Sequence, residues 1–115
     1  MELDLDHFKA RLLARRAELV ADDESASESQ KAVELDQTRV GRLSRMDAIQ
    51  MQAVAKESGI RRHLEVGRID AALRRIDEDE FGDCVRCGEE IALKRLELDP
   101  SLPNCIQCAT EAENP

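Results

Sequence analysis

Cys84-Val-Arg-Cys87-Gly-Glu-Glu-Ile-Ala-Leu-Lys-Arg-Leu-Glu-Leu-Asp-Pro-Ser-Leu-Pro-Asn-Cys105-Ile-Gln-Cys108 contains all four cysteines of a 115-residue chain, in two C-x-x-C pairs separated by 17 residues (88–104). Two residues between ligands let one tight turn aim both sulfurs at a single ion, and the intervening loop brings a second such turn around to close a tetrahedron. Thiolates at this doubled spacing point to Zn²⁺. Gly88 supplies the positive φ that the first turn needs. The second pair has no glycine, and Asn104-Cys105-Ile-Gln-Cys-Ala-Thr-Glu-Ala-Glu reads as the start of a helix, whose positive dipole end favours thiolates. With Cys84, Cys87, Cys105 and Cys108 as ligands there is no open position, so the expected ion is one structural zinc rather than a hydrolytic one.

A disulfide framework would need an oxidising compartment. Met-Glu-Leu-Asp-Leu-Asp at the start has neither the basic residues nor the apolar run of a secretory signal, so a cytoplasmic protein is expected. A thioredoxin-like site would need a βαβ pattern, and none is visible.

Composition limits the rest. Charged residues make up 37% of the chain, and the aromatics are Phe8 and Phe81 alone, which suits long exposed helices better than a large core. No apolar run approaches the ~18 residues of a membrane span. The net charge of −8 argues against direct binding of nucleic acid through phosphates. Its distribution is uneven: residues 37–63 carry six bases against two acids, a basic island in an acidic chain. No acid/base constellation or glycine-rich phosphate loop is present, so an enzyme is not expected.

Along the chain, Leu5, Phe8, Leu12 and Leu19 recur at helical spacing, with Asp4 and Asp6 placed to complement the dipole of a first helix. The stripe fades after Asp22, and the helix is expected to run to about Val33. The stretch 34–44, which contains the first glycine, Gly41, reads as the turn. From Ser44, a good N-cap, a second stripe runs Met46, Ile49, Ala53, Ile60, Leu64, Ile69, Leu73, Ile76, and the helix is expected to stop near Asp79-Glu80-Phe81-Gly82-Asp83, where glycine ends it. Two such helices can bury their stripes only on each other. The expected fold is mainly α: a long antiparallel coiled-coil hairpin over 1–80, followed by a small C-terminal four-cysteine zinc-finger head over 81–115 with a short terminal helix. A hairpin that satisfies its own stripe favours a monomer. His7 and His63 lack neighbouring ligands and read as surface residues. Val85, Ile91, Leu93, Leu96, Leu98, Leu102 and Ile106 are the apolar residues available to the head, too few to hold it without metal.

Glu80-Phe81-Gly82-x-Cys84-x-x-Cys87-Gly88-x-x-Ile91, then Arg95-Leu96, Pro100 and Cys105-x-x-Cys108, resembles the zinc-finger signature of the DksA/TraR family of bacterial RNA polymerase-binding regulators. The resemblance covers about residues 77–108, and upstream it extends to the architecture, a long antiparallel coiled coil. It implies a transcription regulator that inserts its hairpin into the secondary channel of RNA polymerase without reading DNA sequence. Partner contacts then fall at the hairpin tip, on Asp36, Arg39, Arg42, Arg45 and Asp47. The family's tip motif Asp-x-x-Asp-x-Ala aligns with Gly41-Arg-Leu-Ser-Arg-Met46 here, and the nearest acid beside an alanine is Asp47-Ala48. Members that respond to the nucleotide ppGpp carry bases where this chain has Asp99 and Ala109, so little help from ppGpp is expected. The residues alone leave two other roles open: a zinc-stabilised coiled-coil adaptor for a different protein, and a redox sensor whose thiolates release the metal on oxidation.

Overall fold

The computed structural model describes the backbone of residues 3–40 and 45–113, and the side chains of 3–27 and 50–113. Four helices follow in order: α1 (Leu5–Val40), α2 (Arg45–Asp77), α3 (Leu93–Leu98) and α4 (Ile106–Glu113). Among the described residues there is no strand, only one isolated antiparallel bridge between Asp83 and Glu90. No helix is long and apolar enough to cross a membrane among the described residues.

α1 starts where Asp4 caps it. The Asp4 carboxylate accepts the His7 N–H at 3.1 Å, and its carbonyl accepts the Phe8 N–H at 3.2 Å. The helix continues well past Val33, through the stretch 34–40 that the sequence reading gave to the turn. The reason is the absence of a breaker: no glycine or proline occurs before Gly41, and polarity alone does not end a helix. Ser44, read as an N-cap, lies outside the described residues, as do the side chains of Met46 and Ile49. α2 stops at Asp77, and the residue that ends it falls in the expected stretch 79–83 but is not its glycine. Its terminator is Asp79, held at φ 57°, with Glu80 N–H on the Arg75 carbonyl at 2.8 Å and Asp79 N–H on the Ile76 carbonyl at 3.3 Å. This is a Schellman ending with aspartate in the place glycine usually takes. Gly82 has a different task. It sits at φ 99° with the Leu3 side chain against it, where a Cβ would lie 2.5 Å from Leu3 Cδ1.

The chain divides into two compact units, one formed by residues 1–16 and 65–115 and the other by 17–64. In the first unit α1 and α2 run antiparallel, since Phe8 meets Phe81 with ring centroids 5.5 Å apart while Arg16 meets Asp70 at 2.8 Å. Phe8, Leu12, Ile69, Ala72, Ile76 and Phe81 are buried there, and Phe8 and Phe81 join the base of the hairpin to the head, as expected of Phe81. In the second unit the chain has doubled back, and Asp23 accepts from Arg62 Nε at 3.2 Å, with His63 Nε2 3.9 Å away.

The inward stripe of α2 differs from the one read from hydrophobicity. Ala55, Gly59, Arg62, Val66, Ile69, Leu73 and Ile76 are covered or half-covered in an alternation of four and three residues, and toward the base of the hairpin Glu65, Asp70, Ala71, Ala72 and Arg75 are covered or half-covered beside them. Ile60 and Leu64, assigned to the stripe, are 51% and 61% exposed, and Ala53 is exposed too. In α1 the covered positions Leu5, Phe8, Leu12, Arg16, Leu19, Asp23 and Ala26 keep the same rhythm and likewise include charged residues. Periodicity therefore overrides side-chain type. Ile69 and Ala72 are fully buried in the first unit, and in the second Gly59 and Arg62 are half-covered while Ile60 and Leu64 face solvent. Ile69→Ala should destabilise the protein by about 2–5 kcal/mol. Leu64→Ala should change it by no more than about 0.5 kcal/mol. Urea titrations followed by circular dichroism would separate these outcomes, and equal losses would contradict the register.

Candidate metal centre

Residues 82–91 make a tight reversal. Ile91 N–H bonds the Gly82 carbonyl at 2.8 Å, Cys84 N–H the Glu89 carbonyl at 2.8 Å, and Gly88 N–H the Cys84 carbonyl at 2.9 Å. Gly88 has φ 77°, as its place after the first pair predicts, and this turns the Glu89 N–H toward Cys87 Sγ at 3.5 Å. The second pair opens α4. Ala109 N–H bonds the Cys105 carbonyl at 3.0 Å, and Cys108 N–H points at Cys105 Sγ at 3.5 Å, so the Cys105 sulfur occupies the position of a helix-capping oxygen. Val85 N–H reaches the Pro103 carbonyl at 3.0 Å and draws the two turns together.

All four Sγ atoms then lie within 4.8 Å of one another, and Cys87 Sγ is 3.8 Å from Cys105 Sγ. A tetrahedron with Zn–S bonds of about 2.3 Å has a sulfur–sulfur edge of about 3.8 Å. All four cysteines are free of disulfides. The residues present fit a zinc ion, and the four cysteines are positioned to bind one. Among the described residues this is the one cluster of that kind. His7 instead lies edge-on to Phe8 with ring centroids 5.3 Å apart, and His63 is exposed beside Asp23.

The protein treats its four sulfurs unequally. Burial acts to raise the Cys84 thiol, but hydrogen bonds from the backbone of Cys87, Cys105 and Arg86 outweigh it and bring its pKa down to about 6. Burial pushes Cys108 up to about 12, reinforced by the thiols of Cys105, Cys87 and Cys84. The Glu89 N–H favours a thiolate at Cys87, yet burial and the neighbouring sulfurs win and raise it. One sulfur thus offers negative charge readily at neutral pH, while another gives up its proton only to a cation.

Around the sulfurs the core is thin. Ile91, Leu96, Phe81 and Ser101 are buried with Cys84 and Cys108, but Val85, Leu93, Leu98 and Ile106, counted above among the head's apolar residues, are exposed, Leu98 to 80% and Ile106 to 69%. Val85 and Ile106 each follow a cysteine inside its turn, where aiming the sulfur inward sends the next side chain out. Asp99 is committed locally: one carboxylate oxygen accepts Ser101 N–H at 3.0 Å and Ser101 Oγ–H at 2.7 Å. Sequence reasoning noted Asp99 only for its charge and gave Asn104 no bonding partner. Yet Arg95 Nε donates to the Asn104 carbonyl at 3.0 Å, and Asn104 Oδ1 lies 3.8 Å from Cys84 Sγ. Asp36 and Arg39 fall in α1 and Arg45 and Asp47 in α2, but the side chains of these residues, and all of Arg42, lie outside the described residues.

The description of the prokaryotic DksA/TraR C4-type zinc finger matches residues 79–114, which contain the whole sulfur cluster. The head is a zinc finger of the DksA/TraR family. Over 46 residues it is 50% identical to the RNA polymerase-binding transcription factor DksA of Haemophilus influenzae, a match covering 40% of this chain and 32% of that protein. With the protein of the same name from Salmonella typhimurium it is 29% identical over 113 residues, 97% of this chain and 73% of the other. Among solved structures, the transcription factor DksA2 of Pseudomonas aeruginosa superposes with a TM-score of 0.75 at 28% identity, over 95% of this chain and 82% of that one. The RNA polymerase binding protein and transcriptional regulator Dks of Chlamydia trachomatis has the same fold, with a TM-score of 0.61 at 23% identity over 98% of this chain and 93% of that one. The helical hairpin and four-cysteine head are the architecture of this family.

Two consequences of the site's chemistry are measurable. Cys84→Ser, or treatment with a strong zinc chelator, should unfold the head while most of the far-ultraviolet helical signal persists, because α1 and α2 contribute 36 and 33 residues against 6 and 8 in the head. Metal binding must displace the protons that Cys108 and Cys87 hold at neutral pH, so affinity should rise as pH rises and fall on acidification. Competition against a chromophoric chelator at pH 6 and pH 8 should give the tighter complex at pH 8, and a pH-independent affinity would contradict thiolate ligation.

Proposed function

We propose that this protein is a transcription regulator that binds bacterial RNA polymerase directly, acts in the cytoplasm, and neither reads DNA sequence nor catalyses a reaction. The observation that carries this is the similarity running along 97% of the chain to a protein named for binding RNA polymerase, which takes in both long helices as well as the zinc finger. Similarity confined to the finger would have suited an adaptor or a thiol sensor equally well. A net charge of −8 fits a protein partner better than a phosphate backbone.

In this reading Cys84, Cys87, Cys105 and Cys108 are the zinc ligands, and the tip of the hairpin enters the secondary channel. Arg39, Arg42, Arg45, Asp36 and Asp47 lie in or beside the basic island of 37–63 and are the contact residues. The test is binding to purified bacterial RNA polymerase, followed by fluorescence anisotropy of the labelled chain. The parent chain should bind, and the Arg39→Ala/Arg42→Ala/Arg45→Ala triple variant should bind about tenfold or more weakly, since each interfacial arginine contributes on the order of 1 kcal/mol. No binding by the parent chain would end this reading. Unchanged binding by the triple variant would remove the tip from it.

A further inference from the structure

Seventeen residues (88–104) separate the cysteine pairs, enough for the second pair to drift if metal alone held it. Three bonds tie it down without metal. Val85 N–H bonds the Pro103 carbonyl at 3.0 Å, Arg95 Nε–H the Asn104 carbonyl at 3.0 Å, and an Arg86 nitrogen approaches the Cys108 carbonyl at 3.4 Å. The first is main chain and independent of residue type. The last is long, and the Arg86 guanidinium is also 3.8 Å from Glu111. The Arg95 bond is the shorter of the two that a guanidinium makes to the second pair, and it comes from α3.

That element is well seated. Leu96, the next residue, is 1% exposed. The N–H groups of Arg95 and Leu96 both bond the Ala92 carbonyl, at 3.0 and 3.2 Å, and the Arg95 carbonyl accepts Asp99 N–H at 3.0 Å. Asp99 in turn holds the Ser101 turn described above. The base of the Arg95 side chain is therefore fixed relative to the buried Leu96. At the far end, the Asn104 carbonyl belongs to the peptide that leads into Cys105, and the Asn104 side chain faces Cys84 Sγ. Rotation of that one peptide would turn Cys105 away from Cys87 and the amide away from Cys84 together.

We propose that Arg95 is a positioning residue of the metal centre: its guanidinium, projecting from α3, fixes the peptide before Cys105 and so holds the second pair of sulfurs in register with the first. The inference rests on the metal centre and not on the polymerase reading. A guanidinium stays protonated at any pH the fold meets, and a charged donor bonds a carbonyl more strongly than a neutral one. The role is distinct from electrostatic support of the thiolates, which any nearby cation would give. Lys94, adjacent in sequence, exposed and with no hydrogen bond or ion pair among the described residues, provides that comparison.

The test uses the full chain loaded with zinc, and follows metal transfer to a chromophoric chelator. A second sample loaded with cobalt reports ligand geometry through its d–d absorption bands. Groups that orient metal ligands change metal affinity by about 10–100-fold when removed. Arg95→Gln should speed metal release about tenfold or more and weaken or shift the cobalt bands. Arg95→Lys, which keeps a cationic donor without the planar fork, should recover most of the loss, and Lys94→Gln should match the parent. If Arg95→Gln retains no metal at all, the lysine variant still decides. Parent-like release by Arg95→Gln, equal effects of Arg95→Gln and Lys94→Gln, or a lysine variant no better than the glutamine one would each overturn the proposal.

Discussion

The convergence of four cysteine sulfurs within 4.8 Å is the constraint on which the head depends. Its apolar core amounts to a few side chains around Phe81, Ile91 and Leu96, and several other aliphatics in it face solvent. A core of that size does not offset the conformational entropy of ordering some thirty residues with two short helices. Closing both turns on one cation does, because the ion crosslinks segments far apart in sequence and draws its binding free energy only from the folded arrangement. The surrounding hydrogen bonds serve that convergence. Gly88 takes a positive φ to present N–H groups to sulfur, and Val85 bonds Pro103 to bring the second turn alongside.

The hairpin obeys a different rule. In a helix pair the inward positions are set by the 3–4 rhythm once a few buried residues have fixed the phase. Phe8 and Leu12 fix it in α1, and Ile69, Ala72 and Ile76 in α2, all within the unit that also contains the head. In the other unit the rhythm places Asp23 and Arg62 on inward positions, where the two satisfy each other, and the Arg62 side chain is only 19% exposed. Gly59 leaves room there: a Cβ on it would stand at ordinary contact distance, 3.7 Å, from the Arg62 guanidinium. With Asp23 44% exposed, the pair adds little net stability.

The two parts of the molecule carry different weights in the comparisons. The head, with its cysteine spacing and Glu80-Phe81-Gly82 entry, falls within the matched family zinc finger. The hairpin is recognisable mainly by its helices, as the lower identity of the longer alignments shows. A metal site tolerates few substitutions because geometry and ligand chemistry are both prescribed. A coiled coil needs only its rhythm, and its surface is left for a partner to shape.

The sequence by itself determined the four cysteines placed to hold zinc, the two long helices and the zinc-finger family of the head, because each is encoded in local spacing: two residues inside each cysteine pair, three or four between inward positions, and a glycine where φ is positive. What only the tertiary structure decided is phase and partnership. Ile60 and Leu64 look inward to any reading of hydrophobicity, yet both face solvent while Gly59 and Arg62 beside them are half-covered. Within the expected stretch 79–83 the left-handed residue that ends α2 is Asp79 and not the glycine, a conformation aspartate tolerates. Arg95 and Asn104 are nine positions apart, and no period links them. Their bond exists because α3 is seated on Leu96 at the distance that lets a guanidinium reach the peptide before Cys105. Such contacts join residues whose separation in sequence carries no information, so the fold alone brings them together.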